Sequence, residues 1–298
     1  MIYAIDASVY VFRAWFSIPD TMVDQDENPV NALYGFTRFL GDFLEQTRPE
    51  YVAVAFDQSL NGCFRNEIFP PYKANRDPAP PELKRQFEQC QLIAGALGLA
   101  DFGEERFEAD DLIGTVTRRM RSEGLPTTIL TKDKDMAQLL EEGDILWDYA
   151  DNRRVGYHQV RDRYGVTPEQ IVDFLALAGD SVDNIPGVKG VGQKTATALL
   201  EHFGSLDAIY ENLDDVAALE FRGAKTMAAK LLEHKEMAFL CRRLTEIHCD
   251  VPMKTNASLL KRRKPDLGLI NHLYDKAGFG TALRRQAERI ADHFDSRL

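Results

Sequence analysis

Glu108-Ala109-Asp110-Asp111-Leu112-Ile113-Gly114 places three carboxylates within four positions. They stand where a helix begins, because apolar Leu112, Ile113, Val116 and Met120 recur at helical spacing up to about Arg121. A helix N-terminus offers free backbone N–H groups and the positive end of the macrodipole, so one or two acids there are ordinary capping. Three exceed what capping requires. Like charges held close raise one another's pKa, and a divalent ion relieves that repulsion better than a cap. On this motif alone, capping and metal binding both stand.

Working outward, residues 2–5 form a short apolar run ending at Asp6, and residues 51–56 (YVAVAF) a second ending at Asp57. Near-continuous apolar runs separated by helix-length segments read as buried strands of a parallel sheet, an α/β arrangement with helices flanking the sheet. A third run, residues 127–131 (TTILT), follows the Glu108 helix and leads into Lys132-Asp133-Lys134-Asp135; residues 145–149 form a further strand. Each of the first three thus leads to an acid at its carboxyl end, the rim where open α/β sheets place ligands. One strand-end Asp is usually a turn residue. The coincidence of Asp6, Asp57, the Glu108 group and the Asp133/Asp135 pair is harder to assign to turns. Alternate residues of an extended segment project to one side, which would set Asp133 and Asp135 together.

Residues 64–81 (FRNEIFPPYKANRDPAPP) interleave Arg65, Lys73 and Arg76 with Phe64, Phe69 and Tyr72, and their prolines stop any long helix. The segment reads either as a solvated surface loop or as a basic, aromatic-bearing contact for a single-stranded backbone and its bases. Farther on, Thr167 as N-cap and Pro168 at the first position start a helix with Ile171, Val172, Phe174, Leu175 and Leu177 as its stripe, ending near Gly179. A glycine-rich hairpin, Gly187-Val188-Lys189-Gly190-Val191-Gly192, opens onto a second helix to about Phe203. Glycines let backbone N–H groups approach a phosphate, and a helix N-terminus is a ready anion site, so this pair of helices reads as a sequence-independent phosphate grip. Arg222, Lys225, Lys230 and Lys235 decorate a later helical segment, and Lys261-Arg262-Arg263-Lys264 is a basic run; either could be a solvated face.

With 298 residues, 44% apolar and 28% charged, the chain has the composition of an ordinary globular protein with a sizeable core. No apolar run reaches membrane-spanning length and Asp6 interrupts the N-terminus, so the expectation is a cytoplasmic protein with no membrane partner. Cys63, Cys90, Cys241 and Cys249 are scattered without any C-x-x-C pair, which argues against a disulfide framework or a zinc site. A net charge of −11 argues at first against nucleic acid. That objection weakens when acids are concentrated in one metal site, since the remainder is then close to neutral and can carry basic patches.

Together E-A-D-D-L-I-G, T-K-D-K-D, Y-K-A-N-R and G-D-S-V-D-N-I-P-G-V-K-G-V-G-Q-K-T-A resemble the bacterial 5′ nuclease and flap endonuclease family, also found as the 5′-3′ exonuclease domain of bacterial DNA polymerase I. The match runs from Met1 to roughly Asp250, and with no polymerase region following it resembles the free-standing members. The resemblance implies a PIN-like α/β core over 1–160 with an inserted arch at about 60–85. It also implies a helix-three-turn-helix DNA-binding region over 161–250 and a C-terminal helical tail over 251–298 packing on the core. By this resemblance a first Mg²⁺ would use Asp6, Asp57, Glu108, Asp110 and Asp111, and a second Asp133, Asp135, Asp180 and Asp183, with Mn²⁺ able to substitute. Lys73 and Arg76 would act on the scissile phosphate, with Asp110 central to catalysis. The carbonyls of Leu177, Ala178, Pro186, Val188 and Val191 would hold K⁺. Arg65, Tyr72, Gly190, Val191, Gly192, Gln193, Lys194 and Thr195 would meet DNA, and Tyr10 or Phe12 would stack on a base.

The implied function is a monomeric, structure-specific 5′ nuclease of DNA replication and repair, acting on 5′ flaps, nicks and 5′ ends. Two other readings stand beside it. A branched-DNA-binding protein that does not cut would not need the acid set. A phosphatase of the haloacid-dehalogenase type needs D-x-D after the first strand, where Ser8 stands in the second position.

Overall fold

The computed structural model describes residues 1–58 and 62–295. The start of the expected arch, residues 60 and 61, and the end of the expected tail, residues 296–298, lie outside the described residues. The chain divides into two compact units. Unit 1 is drawn from the described residues of Met1–Ser59, Pro78–Lys132 and His248–Leu298, and unit 2 from those of Leu60–Asp77 and Asp133–Ile247. The segment 133–160, expected with the core, falls in unit 2, and the C-terminal segment falls in unit 1.

Unit 1 is built on four parallel strands: β1 (Ile2–Asp6), β2 (Tyr51–Asp57), β3 (Ala100–Glu104) and β4 (Thr127–Leu130), in the order β3-β2-β1-β4. The three apolar runs became β1, β2 and β4, as their unbroken burial requires. β3, sequence ADFGE, has no apolar run. It lies at the edge beside β2, half-buried, so its side chains need not be apolar and its strand signal is weak. The helix Ala109–Ser122 carries Leu112, Ile113, Val116 and Met120 on its buried face. Val116 and Met120 close a core with Ile2, Ala53 and Leu260, so the C-terminal segment contributes to the same core as the first strand. Arg119 on this helix clasps the carbonyls of Met253 and, at 2.9 Å, Val251, satisfying backbone acceptors of that returning segment.

The C-terminal stretch was expected as a helical tail. It forms two helices, Leu267–Lys276 and Thr281–Asp295. The second buries Leu283, Ala287, Ile290 and Ala291 and packs on the helix Asn31–Thr47, where Gln286 donates to Asp42 and Glu45 and Arg289 pairs with Glu45 at 2.6 Å. Its charges occupy the outer face of an amphipathic helix, so a high charge count concealed a packed element.

Unit 2 is mainly helical, with an antiparallel pair, β5 (Ile145–Asp148) and β6 (Arg153–Gly156). Thr167 and Gln170 form a capping box; Pro168–Gln170 is a turn of 3₁₀ helix, and Ile171–Ala178 follows as α-helix, stopped by Gly179 at φ 76°. The Gln170 amide donates to the carbonyls of Leu200 and Gly204, both at 3.0 Å, tying this helix to the end of the helix Gln193–Phe203. Gly187 explains the tightness of the intervening hairpin. Its φ is +65°, and a Cβ there would meet the Gly179 nitrogen at 2.4 Å, so the two glycines pack backbone against backbone. Among the described residues, no helix is long and apolar enough to cross a membrane.

Candidate nuclease site

The first group of expected metal ligands lies in unit 1, and its positions follow from the sheet. Asp6 ends β1 in register with Ala55, and Asp57 ends β2 two residues farther along the neighbouring strand. Asp6 is 4% exposed; its carboxylate accepts from Thr131 Oγ1 at 2.9 Å and from the Val9 N–H at 3.4 Å, so it also caps the helix Ala7–Ser17. Asp57 accepts from Ser8 Oγ at 2.6 Å and from the Ala109 N–H at 2.8 Å. That second bond joins the end of β2 to the first residue of the Glu108 helix.

The Glu108 motif contains a cap as well as candidate ligands. Glu108 is the N-cap residue, and Asp111 at the third helical position accepts from its N–H at 3.1 Å. Asp111 is fully buried, and its other oxygen accepts from the His248 N–H at 2.8 Å. The His248 ring stacks on Phe107, with centroids 5.4 Å apart. Both Asp111 oxygens therefore hold backbone in place, while Glu108 and the half-buried Asp110 share the first turn with it. Of the initial alternatives, the cap is present at Glu108 and Asp111.

The second group lies in unit 2, and here one derivation is corrected. Asp133 and Asp135 are not alternate residues of an extended strand. The chain turns at Lys134, which is in the right-handed helical region, and the Asp135 N–H donates to Asp133 Oδ1 at 2.8 Å as a 3₁₀ turn begins. An Asx turn, which Asp favours, brings the two carboxylates together. Burial, chiefly, pushes both acids up; the neighbouring carboxylates add to the effect, and Asp135 reaches about 8. Asp135 Oδ1 is buried with no hydrogen-bond partner. A carboxylate oxygen buried without a donor beside other acids is what a cation would satisfy, so this group fits a divalent metal.

Asp180, 9% exposed, accepts from the Val182 N–H at 2.7 Å and lies 3.7 Å from Lys134 Nζ. Asp183 lies against the expected arch. Arg76 pairs with it at 2.5 Å, Lys73 Nζ lies at 3.7 Å, and the Tyr72 hydroxyl donates to it at 3.2 Å. Backbone and amide bonds lock this contact: Lys73 N–H to the Asp183 carbonyl, Asn75 to that of Ser181, and Asn184 to that of Pro71. Lys73 and Asn184 both adopt positive φ, 55° and 56°, strain that the surrounding bonds hold in place.

Among the described residues, no three His, Cys, Asp or Glu side chains converge closely enough to hold an ion. Within each unit the expected ligands are thus neighbours rather than an assembled cage, as mutual repulsion of carboxylates dictates.

Two expected DNA contacts have other work. Arg65 is 2% exposed, and its guanidinium donates to the carbonyls of Leu244 and Glu246, both at 2.9 Å. It pins the arch segment to the end of the helix Lys235–Thr245, a role that charge alone cannot distinguish from phosphate binding. Tyr72, 3% exposed, supports Asp183. Tyr10 is buried and stacked on Phe39 at 3.8 Å, so it belongs to the core. Phe12 packs edge-on against Phe87, and the exposed aromatic of that helix is Phe16, 80% exposed and one helical turn beyond Phe12. The i, i+4 spacing of the two phenylalanines was the available signal.

The hairpin exposes Gly190, Gly192, Gln193 and Lys194, whereas Val191 is buried and Thr195 half-buried. Gly192 is the N-cap of the helix Gln193–Phe203 with no side-chain cap, and nothing lies within 4 Å of where its Cβ would be. Gly190, at φ +83°, has Lys230 Nζ 3.2 Å from the corresponding point, so a lysine from the helix Ala224–Glu233 stands over the turn. Sequence spacing gave no means of pairing Lys230 with Gly190. The carbonyls of Leu177 and Val188 accept from the N–H groups of Val188 (2.8 Å) and Val191 (2.9 Å), and each retains a lone pair a cation can use.

The parallel sheet of unit 1 carries acids at the carboxyl ends of β1 and β2, and unit 2 holds a glycine hairpin between two helices. Residues 1–165 match the 5′-3′ exonuclease N-terminal resolvase-like domain and residues 166–268 the 5′-3′ exonuclease C-terminal SAM fold, so the chain belongs to the 5′-3′ exonuclease family, a class of hydrolytic nucleases. It is 40% identical over 276 residues to DNA polymerase I of Pseudomonas aeruginosa, covering 92% of this chain and 30% of that one. It is 33% identical to the 5′-3′ exonuclease of Buchnera aphidicola, covering 88% and 91%. The chain spans about a third of the length of the DNA polymerase I relatives it matches. In fold it is similar to the bacteriophage T5 flap endonuclease, solved as a pseudo-enzyme–product complex with DNA and metal ions, at a TM-score of 0.65, 19% identity and 98% of each chain.

Proposed function

We propose that the chain is a structure-specific 5′ nuclease that hydrolyses DNA phosphodiester bonds at 5′ flaps, nicks and 5′ ends with two divalent ions, Mg²⁺ by preference and Mn²⁺ in its place. The observation that carries this reading is the Asp133/Asp135 turn, with its buried, donorless Asp135 oxygen and two carboxyl groups whose pKa values are raised. The DNA and metal ions named for the T5 enzyme support it. Asp6, Asp57, Glu108 and Asp110 would hold one ion, and Asp133, Asp135, Asp180 and Asp183 the other. Such ions supply charge neutralisation and an acidified water for in-line displacement.

The remaining roles belong to the chain. Ser8 and Thr131 fix the rotamers of Asp57 and Asp6 through their hydroxyls. Asp111 acts as a positioning residue, holding Glu108 and the His248 segment. Lys73 and Arg76, held beside Asp183, present positive charge for the developing phosphate charge. The hairpin N–H groups of Gly190 and of residues 192–195, with Lys194 and Lys230, grip duplex phosphates without reading bases, so selectivity follows DNA structure. K⁺ at the carbonyls of Leu177, Ala178, Pro186, Val188 and Val191 would brace that loop. The protein acts as a monomer in the cytoplasm, in replication and repair. The test is cleavage of a labelled 5′-flap duplex beside nicked, blunt and single-stranded substrates. Cutting at the flap junction with Mg²⁺ is expected; equal cutting in EDTA, or none with either metal, would overturn the mechanism.

A further inference from the structure

The basic run at residues 261–264 has no part in the proposed reaction, yet its Lys261 and Arg262 form a wall of a cavity of about 550 Å³ in unit 1. The other walls are the end of the helix Asn31–Thr47 and the last turns of the helix Thr281–Asp295. Its lining residue Lys261 bridges Tyr51, the first residue of β2, whereas Asp57 is the last of that seven-residue strand, about 20 Å along it. The cavity therefore lies at the other end of the strand from Asp57.

Its lining divides into two halves of different chemistry. Arg48, Lys261 and Arg262 supply three cations against one carboxylate, Glu50, which lies 3.7 Å from Lys261. Leu44, Ile290 and Phe294 supply an apolar, partly aromatic wall. The walls are fixed to one another: Arg262 N–H donates to the Glu50 carbonyl at 2.9 Å, and Lys264 pairs with Asp295 at 2.7 Å. Arg48 also adopts φ +43° at the C-cap of its helix, a position where glycine is at ease and arginine is strained, and its guanidinium meets His293 Nε2 at 3.2 Å. Strain retained at a residue that lines a cavity is a sign of function.

We infer that this cavity binds a nucleoside 5′-monophosphate moiety. The two arginines and the lysine match a phosphate dianion, Phe294 offers a face on which any base can stack, and the volume is that of a small-ligand site. The same moiety can arrive as a free mononucleotide or as the 5′-phosphorylated end of a strand.

Calorimetric titration of the intact protein with deoxyadenosine 5′-monophosphate in EDTA, which removes metal-dependent binding elsewhere, tests the assignment. Saturable millimolar or tighter binding is expected, with deoxyadenosine and inorganic phosphate each weaker. A 5′-phosphorylated trinucleotide run against its 5′-hydroxyl counterpart distinguishes the two sources, since only a strand-end site gives the phosphorylated strand the higher affinity. Arg48→Gly relieves the strained backbone, so Tm is kept or raised while affinity falls at least about tenfold. Lys261→Glu is expected to do the same to affinity, and Lys73→Ala to leave it intact. The assignment is overturned if the mononucleotide does not bind in EDTA, if inorganic phosphate binds as tightly, or if affinity survives both Arg48→Gly and Lys261→Glu.

Discussion

The acids of unit 1 and those of unit 2 are held by different means. Asp6, Asp57 and Asp111 accept hydrogen bonds from hydroxyls and backbone N–H groups that the sheet and one helix start deliver. Asp133, Asp135, Asp180 and Asp183 face one another and the cations Lys73, Arg76 and Lys134, with one buried oxygen left unsatisfied. The first arrangement is a stable scaffold with or without a metal. The second stores electrostatic cost that a bound cation removes. The difference lies in what already satisfies the carboxylate oxygens of each group.

The largest expected effect comes from removing the half-buried carboxylate in the first turn of the Glu108 helix. Asp110→Ala should lower flap cleavage by about 10³-fold while flap binding measured in Ca²⁺ stays within a few-fold; unchanged turnover would take Asp110 out of the site. Next come two substitutions whose effects on stability should have opposite signs. Asp111→Ala leaves two buried N–H groups without acceptors and should cost about 2–3 kcal/mol in urea unfolding. Asp135→Asn removes a crowded charge and should raise the Tm of the protein in EDTA by a few degrees, while weakening Mg²⁺ binding in calorimetry. If both variants lose stability, the contrast between the two groups is wrong.

The pH dependence sharpens the same point. Asp135 titrates near 8 in the folded chain and near 4 when unfolded, so between these values the native state holds the extra proton. Stability in EDTA should therefore fall as pH rises from about 4 to about 8 and level off above, and Asp135→Asn should flatten that slope in a series of thermal melts. The smallest effect is expected at Ser8→Ala. It deletes the 2.6 Å bond to Asp57 and should reduce kcat by several-fold with little change in Tm, because Asp57 keeps the Ala109 N–H.

The carboxylates themselves were legible in the sequence because each follows a strong local signal: a buried apolar run, a helix start or a glycine hairpin. Less legible were elements whose composition matches their exposure. β3 lacked an apolar run because it is an edge strand, and the last helix is rich in charge because only one of its faces is buried. Arg65 and Tyr72 carried the residue types of a nucleic-acid contact and proved to be internal ties, since a guanidinium bonds backbone carbonyls as readily as phosphates. Phe16 and Lys230 acquired their surroundings only through the fold.

Sequence alone thus determined the fold class and the family, because strand burial, helix capping and glycine conformations leave their marks in short stretches of chain. Tertiary structure decided which oxygen of each acid is already occupied, that Asp111 holds backbone on both sides, that Asp135 is left unsatisfied, and that a basic run far from the acids closes a cavity with an apolar wall. Those outcomes depend on contacts between residues separated by tens to hundreds of positions, and no local periodicity encodes them.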